Sequence, residues 1–321
     1  MIIELAAASV LLAPIDTVRE REVTIPGPVP LEGTLTLPAG DGPFPGLVIV
    51  HGSGAGDRDG SLGPNKPYRD LAQGLAQRGV AVLRYEKRSR AQPMWFLNRG
   101  FTVRDEVIED AVAALALLRE QSEVDASRTF LAGHSLGGIL APRIAAADGK
   151  LAGFVMLAGA WVTPLPQLML KQLDYIASVS SPADSARVMS QRSAIGAMVD
   201  RLEKLTPADS AETTLLMGAP AAYWLDLRSY NPVAALLDRS EPVLMIQGGR
   251  DYQVTPAMLD EFLDRLGKRE NTTVRRYSSL NHLLIAGEGV PRPAEYATAG
   301  RVSDEVIVDV ANWVLQADPR R

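Results

Sequence analysis

FLAGHSLGGIL, residues 130–140, sets an apolar run against a glycine-rich one, with Gly133-His134-Ser135 at the junction. A simple turn needs one or two small residues, yet Gly133, Ser135, Gly137 and Gly138 fall within six positions. Gly133 to Gly137 fits GxSxG, and its setting, an apolar strand before and a helix after, is the one in which that pattern puts a serine on a sharp strand-to-helix turn. A helix beginning there presents unpaired N–H groups and positive partial charge to any anion formed beside Ser135. The competing reading is a plain glycine-rich packing turn.

The flanks support the strand-turn-helix setting. From Gly46 onward buried apolar runs alternate with helical stretches: GLVIV then YRDLAQGLAQRG, VAVLRY then RDEVIEDAVAALALLRE, TFLAG then SLGGILAPRIAAA. Strands alternating with helices imply crossovers and a parallel sheet. Upstream, VREREVTI and LEGTLTLP read as an antiparallel edge pair, the second alternating Leu31, Gly33, Leu35 and Leu37 with Glu32, Thr34 and Thr36. The rhythm resumes with GFVMLAG, breaks over residues 161–235, and returns with PVLMIQGG and TTVRRYS before a closing amphipathic helix, SDEVIVDVANWVLQA. Within the break, PLPQLMLKQLDYIASV reads as a helix. Ser181-Pro182-Ala183-Asp184 and Thr206-Pro207-Ala208-Asp209 each offer an N-cap hydroxyl, a proline and an acid, so a helix is expected after each. The segment is therefore expected to be a helical cap.

A serine hydroxyl is a weak nucleophile until a base takes its proton. The chain has three histidines. His134 is confined to the elbow and His51 lies far upstream, both suited to shaping loops, which leaves His282 in SSLNHLLIAG, just after the last strand, as the base. The imidazole needs an orienting carboxylate. Asp251 follows PVLMIQGGR, at the carboxyl end of a buried strand where open α/β sheets gather functional groups; Asp226 and Asp238 compete from the insertion and its return. The oxyanion donors expected are the Leu136 amide, after the nucleophile, and the Ser53 amide in HGSGAGDRDG, after the first parallel strand. A phosphate-binding role for that loop is disfavoured, because Asp57 replaces the third glycine of a dinucleotide fingerprint and no GxxxxGK follows.

Composition narrows the classes further. The chain has 321 residues, 46% of them hydrophobic, enough for one large α/β core. Its net charge is −5, from 33 Lys and Arg against 38 Asp and Glu, which offers no basic field for nucleic acid or anionic membrane. The absence of cysteine removes disulfides, thiolate metal sites and a cysteine nucleophile. No apolar run approaches the ~18 residues of a membrane span. Residues 1–14 read as an N-terminal extension or a signal remnant; without a basic n-region and with Glu4, a cytoplasmic location is favoured, and a signal remnant would instead imply a periplasmic or secreted protein.

HGSGAGDRDG, GPNKPYRDLAQGLAQRGVAVLRYEKRSR, GHSLGG, APRIAA, GGRDYQV and NHLL together resemble bacterial acyl esterases of the α/β-hydrolase superfamily, in the branch whose oxyanion loop reads HGSGxxDRD. The match covers about residues 20–318. Two departures stand out: Glu86 where the branch shows Asp, and no cysteine for a dienelactone-hydrolase nucleophile.

The resemblance implies an α/β-hydrolase fold, a mostly parallel central sheet flanked by helices with a helical cap inserted after the strand that follows the nucleophile helix. It also implies a Ser135, Asp251, His282 triad, a carboxylic-ester substrate, and no metal or organic cofactor. The catalytic core is expected at 15–160 and 236–321, with the cap at 161–235. Trp161, Met169, Tyr223, Trp224 and Tyr252 are the expected pocket residues, for short to medium acyl esters. Asp57, Arg58, Asp59, Arg84, Glu86, Lys87 and Arg88 are expected to form an ion-pair network that fixes the oxyanion loop, and Met156, Met169, Met189, Met198 and Met217 to fill core. The same triad also serves acyltransferases, thioesterases and amidases, and a non-catalytic binding protein on this scaffold is a further alternative. The oligomeric state is left open, a dimer included.

Overall fold

The structure is a computed structural model that describes residues 18–97 and 99–317. Residues 1–14, expected to be an extension or signal remnant, lie outside the described residues. Eight strands form one sheet: β1 (Arg19–Ile25), β2 (Leu31–Leu37), β3 (Phe44–Val50), β4 (Ala81–Tyr85), β5 (Val124–His134), β6 (Gly153–Leu157), β7 (Val243–Gly248) and β8 (Thr272–Tyr277), in spatial order β1-β2-β4-β3-β5-β6-β7-β8. β1 and β2 pair antiparallel at one edge, β2 is antiparallel to β4, and every other pairing is parallel. The expected edge pair and parallel sheet are both present.

The interior strands read as continuous apolar runs because both faces of the sheet are covered. Leu47 and Ile49 of β3 face one cluster with α1 (Pro67–Ala76), while Val48 and Val50 face the other. α2 (Arg88–Ala91) is a single turn, and α3 (Glu109–Arg119) grows out of a π-helical turn at Arg104–Ile108. α4 (Leu136–Asp148) starts directly on β5. β2 departs from simple alternation: Thr34 and Thr36 are buried beside the leucines, their hydroxyls satisfied by Glu22 and Glu20 of β1.

Between β6 and β7 run α5 (Leu165–Ser178), α6 (Pro182–Glu203), a 3₁₀ turn (Pro207–Ala211), α7 (Ala221–Ser229) and α8 (Pro232–Leu237). Ser181 caps α6 as expected, its hydroxyl accepting from the Asp184 amide at 3.3 Å. Thr206 and Asp209 also form a reciprocal cap, but they close only the 3₁₀ turn, since the β-branched Thr213 and Thr214 and then Gly218 and Pro220 follow and cannot propagate a helix. α8 packs on α4 and on α9 (Pro256–Leu266), as part of the sheet's own covering. α10 (Asp304–Gln316) closes the α1 face.

Of the methionines expected in the core, Met156 is fully buried and Met217 packs against the core, Met169 is half-buried, and Met189 and Met198 lie exposed on α6. α6 shows why: only Val199 and Leu202 of its 22 residues are buried, so most of its surface meets solvent.

Candidate active site

Three loops leave the carboxyl ends of β5, β7 and β8 carrying Ser135, Asp251 and His282. Ser135 sits at φ 50°, ψ −120°, a backbone conformation unfavourable for any residue with a Cβ, between the last residue of β5 and the first of α4. The elbow closes because its glycines carry no side chain: a Cβ on Gly133 would lie 2.1 Å from the Gly137 carbonyl oxygen, and one on Gly137 would lie 2.6 Å from the Val50 and His51 carbonyls. The Ser135 amide donates to Leu157 O at 2.9 Å, which ties the turn to β6.

Asp251 is buried, and each of its oxygens is engaged. Oδ1 accepts from the amides of Gln253 (2.8 Å) and Val254 (2.9 Å), and Oδ2 accepts from His282 Nδ1 at 2.7 Å. The carboxylate therefore holds the imidazole with Nδ1 as donor and Nε2 free to take a proton. Asn281 shapes the loop that carries His282, its Oδ1 accepting from the amides of Leu283 (2.9 Å) and Ile285 (3.2 Å). The competing acids are placed elsewhere: Asp226 pairs with Arg143 at 2.8 Å, and Asp238 is exposed at the end of α8.

Ser135 and His282 line one cleft of about 250 Å³ with the loop His51–Gly56, Gly60–Leu62, Tyr68, His134, Gln253 and Leu283. Ser53, the expected oxyanion donor, lies on this lining. Leu136 is the first residue of α4, its side chain buried; it borders a separate space of about 70 Å³ with Ile139 and Trp161.

None of the five expected pocket residues lines the cleft. Trp161, Tyr223 and Trp224 are core residues, 3%, 6% and 7% exposed, continuous with the sheet's own hydrophobic cluster; the Trp224 indole donates to Leu216 O at 2.8 Å. Tyr252 belongs to a small cluster with Leu283, Ile285 and Tyr296 and stacks on Tyr175, and Met169 is half-buried on α5. Tyr223 packs edge-to-face on Phe101 of the body at 5.8 Å, while Trp161 and Trp224 border small spaces of about 70 and 80 Å³ outside the cleft.

A buried hydrogen-bond chain links the loops. The Gly52 amide donates to Tyr68 Oη (3.2 Å), Tyr68 Oη meets His134 Nδ1 (3.1 Å), and His134 Nε2 meets the His282 carbonyl oxygen (2.9 Å). A carbonyl only accepts, so His134 carries its proton on Nε2 and accepts the hydrogen bond of the phenol O–H at Nδ1. Burial first, and the neighbouring His282 second, depress the His134 pKa to about 3, while burial lifts Tyr68 to about 12. The chain is thus neutral and fixed in direction near neutral pH. His51 is likewise held neutral, its pKa lowered to about 3 by burial first and the Lys87 ammonium second. The loop-shaping reading of His51 and His134 fits this geometry. Tyr68 was missed, and a tyrosine in an ordinary amphipathic helix carries no local signal of such a role.

The charged residues flanking the loop are paired as expected. Arg58 bonds Glu22, Glu32 and Glu86; Arg84 bonds Glu20 and Asp59; Lys66 bonds Asp59; Lys87 bonds Glu106; Arg88 bonds Asp110. Asp57 Oδ1 accepts from the amides of Asp59 (3.1 Å) and Ser61 (2.9 Å). Among the described residues no group of three or more His, Asp or Glu is placed to hold a metal ion, and no helix is long and apolar enough to cross a membrane.

Comparison with known proteins agrees with the fold. The chain is 39% identical over 301 residues, 94% of its length and 68% of the relative's, to esterase EstD of Thermotoga maritima. Among solved structures it resembles the Pyrococcus furiosus esterase Pf2001 (TM-score 0.58, 14% identity, 93% of this chain and 91% of that one). It also resembles Est1E of Butyrivibrio proteoclasticus with ferulic acid bound (TM-score 0.59, 16% identity, 92% and 98%). Residues 47–299 match the model of the alpha/beta hydrolase family, and with the sheet order and the serine elbow this places the chain in that family.

Proposed function

We propose that the protein is a serine carboxylic-ester hydrolase, with Ser135 as nucleophile, His282 as general base and acid, and Asp251 as the orienting carboxylate. The observation that carries this reading is the buried 2.7 Å contact between His282 Nδ1 and Asp251, in a cleft shared with a serine in a strained elbow conformation. The esterase relative at 39% identity supports the ester bond as the target.

Ser135 Oγ attacks the ester carbonyl carbon while its proton passes to His282 Nε2. The resulting oxyanion is met by the Ser53 and Leu136 amides, each such donor typically worth ~3–4 kcal/mol in the transition state. Collapse of the tetrahedral adduct expels the alkoxide, which takes the proton from His282 and leaves an acyl-serine. Water then attacks the acyl carbon, gives its proton to His282, and a second collapse releases the carboxylic acid and returns the proton to Ser135.

The substrate class is short to medium acyl esters. The cleft of about 250 Å³ lies near the lower end of ordinary ligand pockets, and Leu62, Tyr68 and Leu283 are its larger apolar walls. The insertion, residues 161–235, acts as a cap that limits acyl length from outside this cleft, anchored to the body by Tyr230 Oη on Ile139 O (2.9 Å) and by Arg143 with Asp226. Hydrolysis of p-nitrophenyl esters from acetate to palmitate tests the reading. Efficiency should peak among the short and medium chains; a maximum at palmitate, or rate enhancement at an oil–water interface, would contradict it.

A further inference from the structure

Lys87 is 3% exposed, and its ammonium has three acceptors: Gly52 O (3.0 Å), Gly54 O (3.0 Å) and Glu106 Oε1 (3.3 Å). An ammonium has three N–H donors that diverge from one nitrogen, and here each has a partner. Its own amide also donates to Gly56 O at 3.2 Å, so the residue reaches the oxyanion loop from both backbone and side chain. Glu106 lies in the π-helical turn before α3, a type of irregularity that often marks a functional site. Its carboxylate balances the buried charge.

The consequence for the cleft follows from peptide geometry. In a trans peptide the carbonyl of one residue and the N–H of the next point in opposite directions. With Gly52 O and Gly54 O both turned onto the ammonium, the Ser53 and Ala55 N–H groups are turned away from it, and both residues line the cleft that holds Ser135. The Gly52 amide is pinned independently by Tyr68 Oη at 3.2 Å, so the peptide on either side of Gly52 is fixed.

We propose that Lys87 is a positioning residue for the reaction: by holding the Gly52 and Gly54 carbonyls it keeps the oxyanion loop in the one peptide orientation that offers N–H groups to the tetrahedral intermediate. Without the ammonium the Gly52 carbonyl loses its buried partner and the Gly54 carbonyl keeps only the Gly56 amide (3.2 Å), and a peptide flip would turn carbonyl oxygen toward the developing negative charge. This rests on the Ser53 amide acting as an oxyanion donor, as proposed above.

The absence of cysteine from the chain permits a clean test. Lys87→Met should lower kcat about a hundredfold, the scale of losing one oxyanion donor, with KM changed less than about threefold. Lys87→Cys, alkylated in denaturant with 2-bromoethylamine and refolded, regains an ammonium at the same place and should recover most of the lost kcat. The same variant alkylated with iodoacetamide should stay slow. If Lys87→Met does not fold, the two alkylated forms carry the comparison, folding of each being checked by circular dichroism. Equal turnover in the two alkylated forms, or kcat within threefold of wild type in Lys87→Met, would overturn the role of Lys87 while leaving the esterase reading intact. Wild-type protein without esterase turnover would instead overturn the reading on which it rests.

Discussion

The sheet end that carries Ser135, Asp251 and His282 and the helical insertion between β6 and β7 are held by different means. At the sheet end the groups that orient the loops are buried and hydrogen-bonded, from the Asp251 carboxylate to the Gly52–Tyr68–His134–His282 chain. In the insertion, α6 is largely solvent-exposed and its side-chain bonds to α5 are exposed ones, Arg192 with Asp174 at 2.5 Å and Gln167 with Glu203. Catalytic geometry demands fixed atoms and gets them from backbone turns and buried hydrogen bonds, whose loss is costly. Surface ion pairs such as the one on α6 contribute little stability. Mutations at the two regions should therefore differ in kind: large losses of rate at the first, small shifts of stability or specificity at the second.

The largest expected difference is between two aspartates. Asp251→Asn leaves the shape nearly unchanged but presents the imidazole with the wrong partner, an exchange that costs about ten-thousand-fold in kcat in a well-studied triad. Asp226→Asn, which weakens an insertion-to-α4 ion pair, should change kcat by less than about threefold. Steady-state kinetics on the purified variants check both; comparable losses would move the carboxylate function away from Asp251.

Next in size is Tyr68→Phe. It leaves the Gly52 amide and His134 Nδ1 without their partner, a penalty of about 1–3 kcal/mol per buried group. A lower melting temperature and a fall in kcat of about tenfold are expected together, since the same phenol fixes the Gly52 loop and, through His134, the loop of His282. Unchanged kcat with lowered stability would restrict Tyr68 to a packing role.

Acid should also separate the two regions. His51 and His134 have folded pKa values near 3 against about 6.5 in the unfolded chain, so between those values the unfolded state binds more protons. Stability therefore falls as pH drops from about 6.5 toward 3, by about 1.4 kcal/mol per pH unit for each histidine. Urea unfolding at pH 7, 6, 5 and 4 measures this slope. His51→Gln should reduce it by one histidine's share, and substitutions on the exposed face of α6 should leave it unchanged.

The smallest effect is expected from Arg192→Ala, which removes the exposed α5–α6 pair. It should cost under about 1 kcal/mol in urea unfolding and leave short-ester turnover unaltered.

What the amino-acid sequence disclosed divides along the same line. Ser135 and Asp251 follow β5 and β7, whose two-sided burial writes continuous apolar runs, and the elbow's glycines are adjacent in the chain, so local pattern points to both; His282 follows the half-exposed edge strand β8 and is singled out only by elimination among three histidines. The hydrogen-bond chain was not legible, because Gly52, Tyr68, His134 and His282 are brought together only by the crossovers of the sheet. Lys87 and Glu106 are another such pair: Lys87 is expected in the ion-pair network around the oxyanion loop, but nothing in the sequence joins it to Glu106. Trp161, Tyr223 and Trp224, which read as pocket residues in the sequence, are buried with the core. Their chemistry suits either place, and only packing distinguishes them. The Thr206 cap misled for a different reason: a capping box marks a helix start but does not supply the residues that propagate it.

The central claim, that Ser135 is the one activated nucleophile, is tested most directly by treating the protein with a fluorophosphonate ester and mapping the label by peptide mass spectrometry. One phosphonyl group per chain is expected, on Ser135 alone, with none incorporated by a correctly folded Ser135→Ala variant. A label on another residue, or labelling that persists in Ser135→Ala, would contradict it.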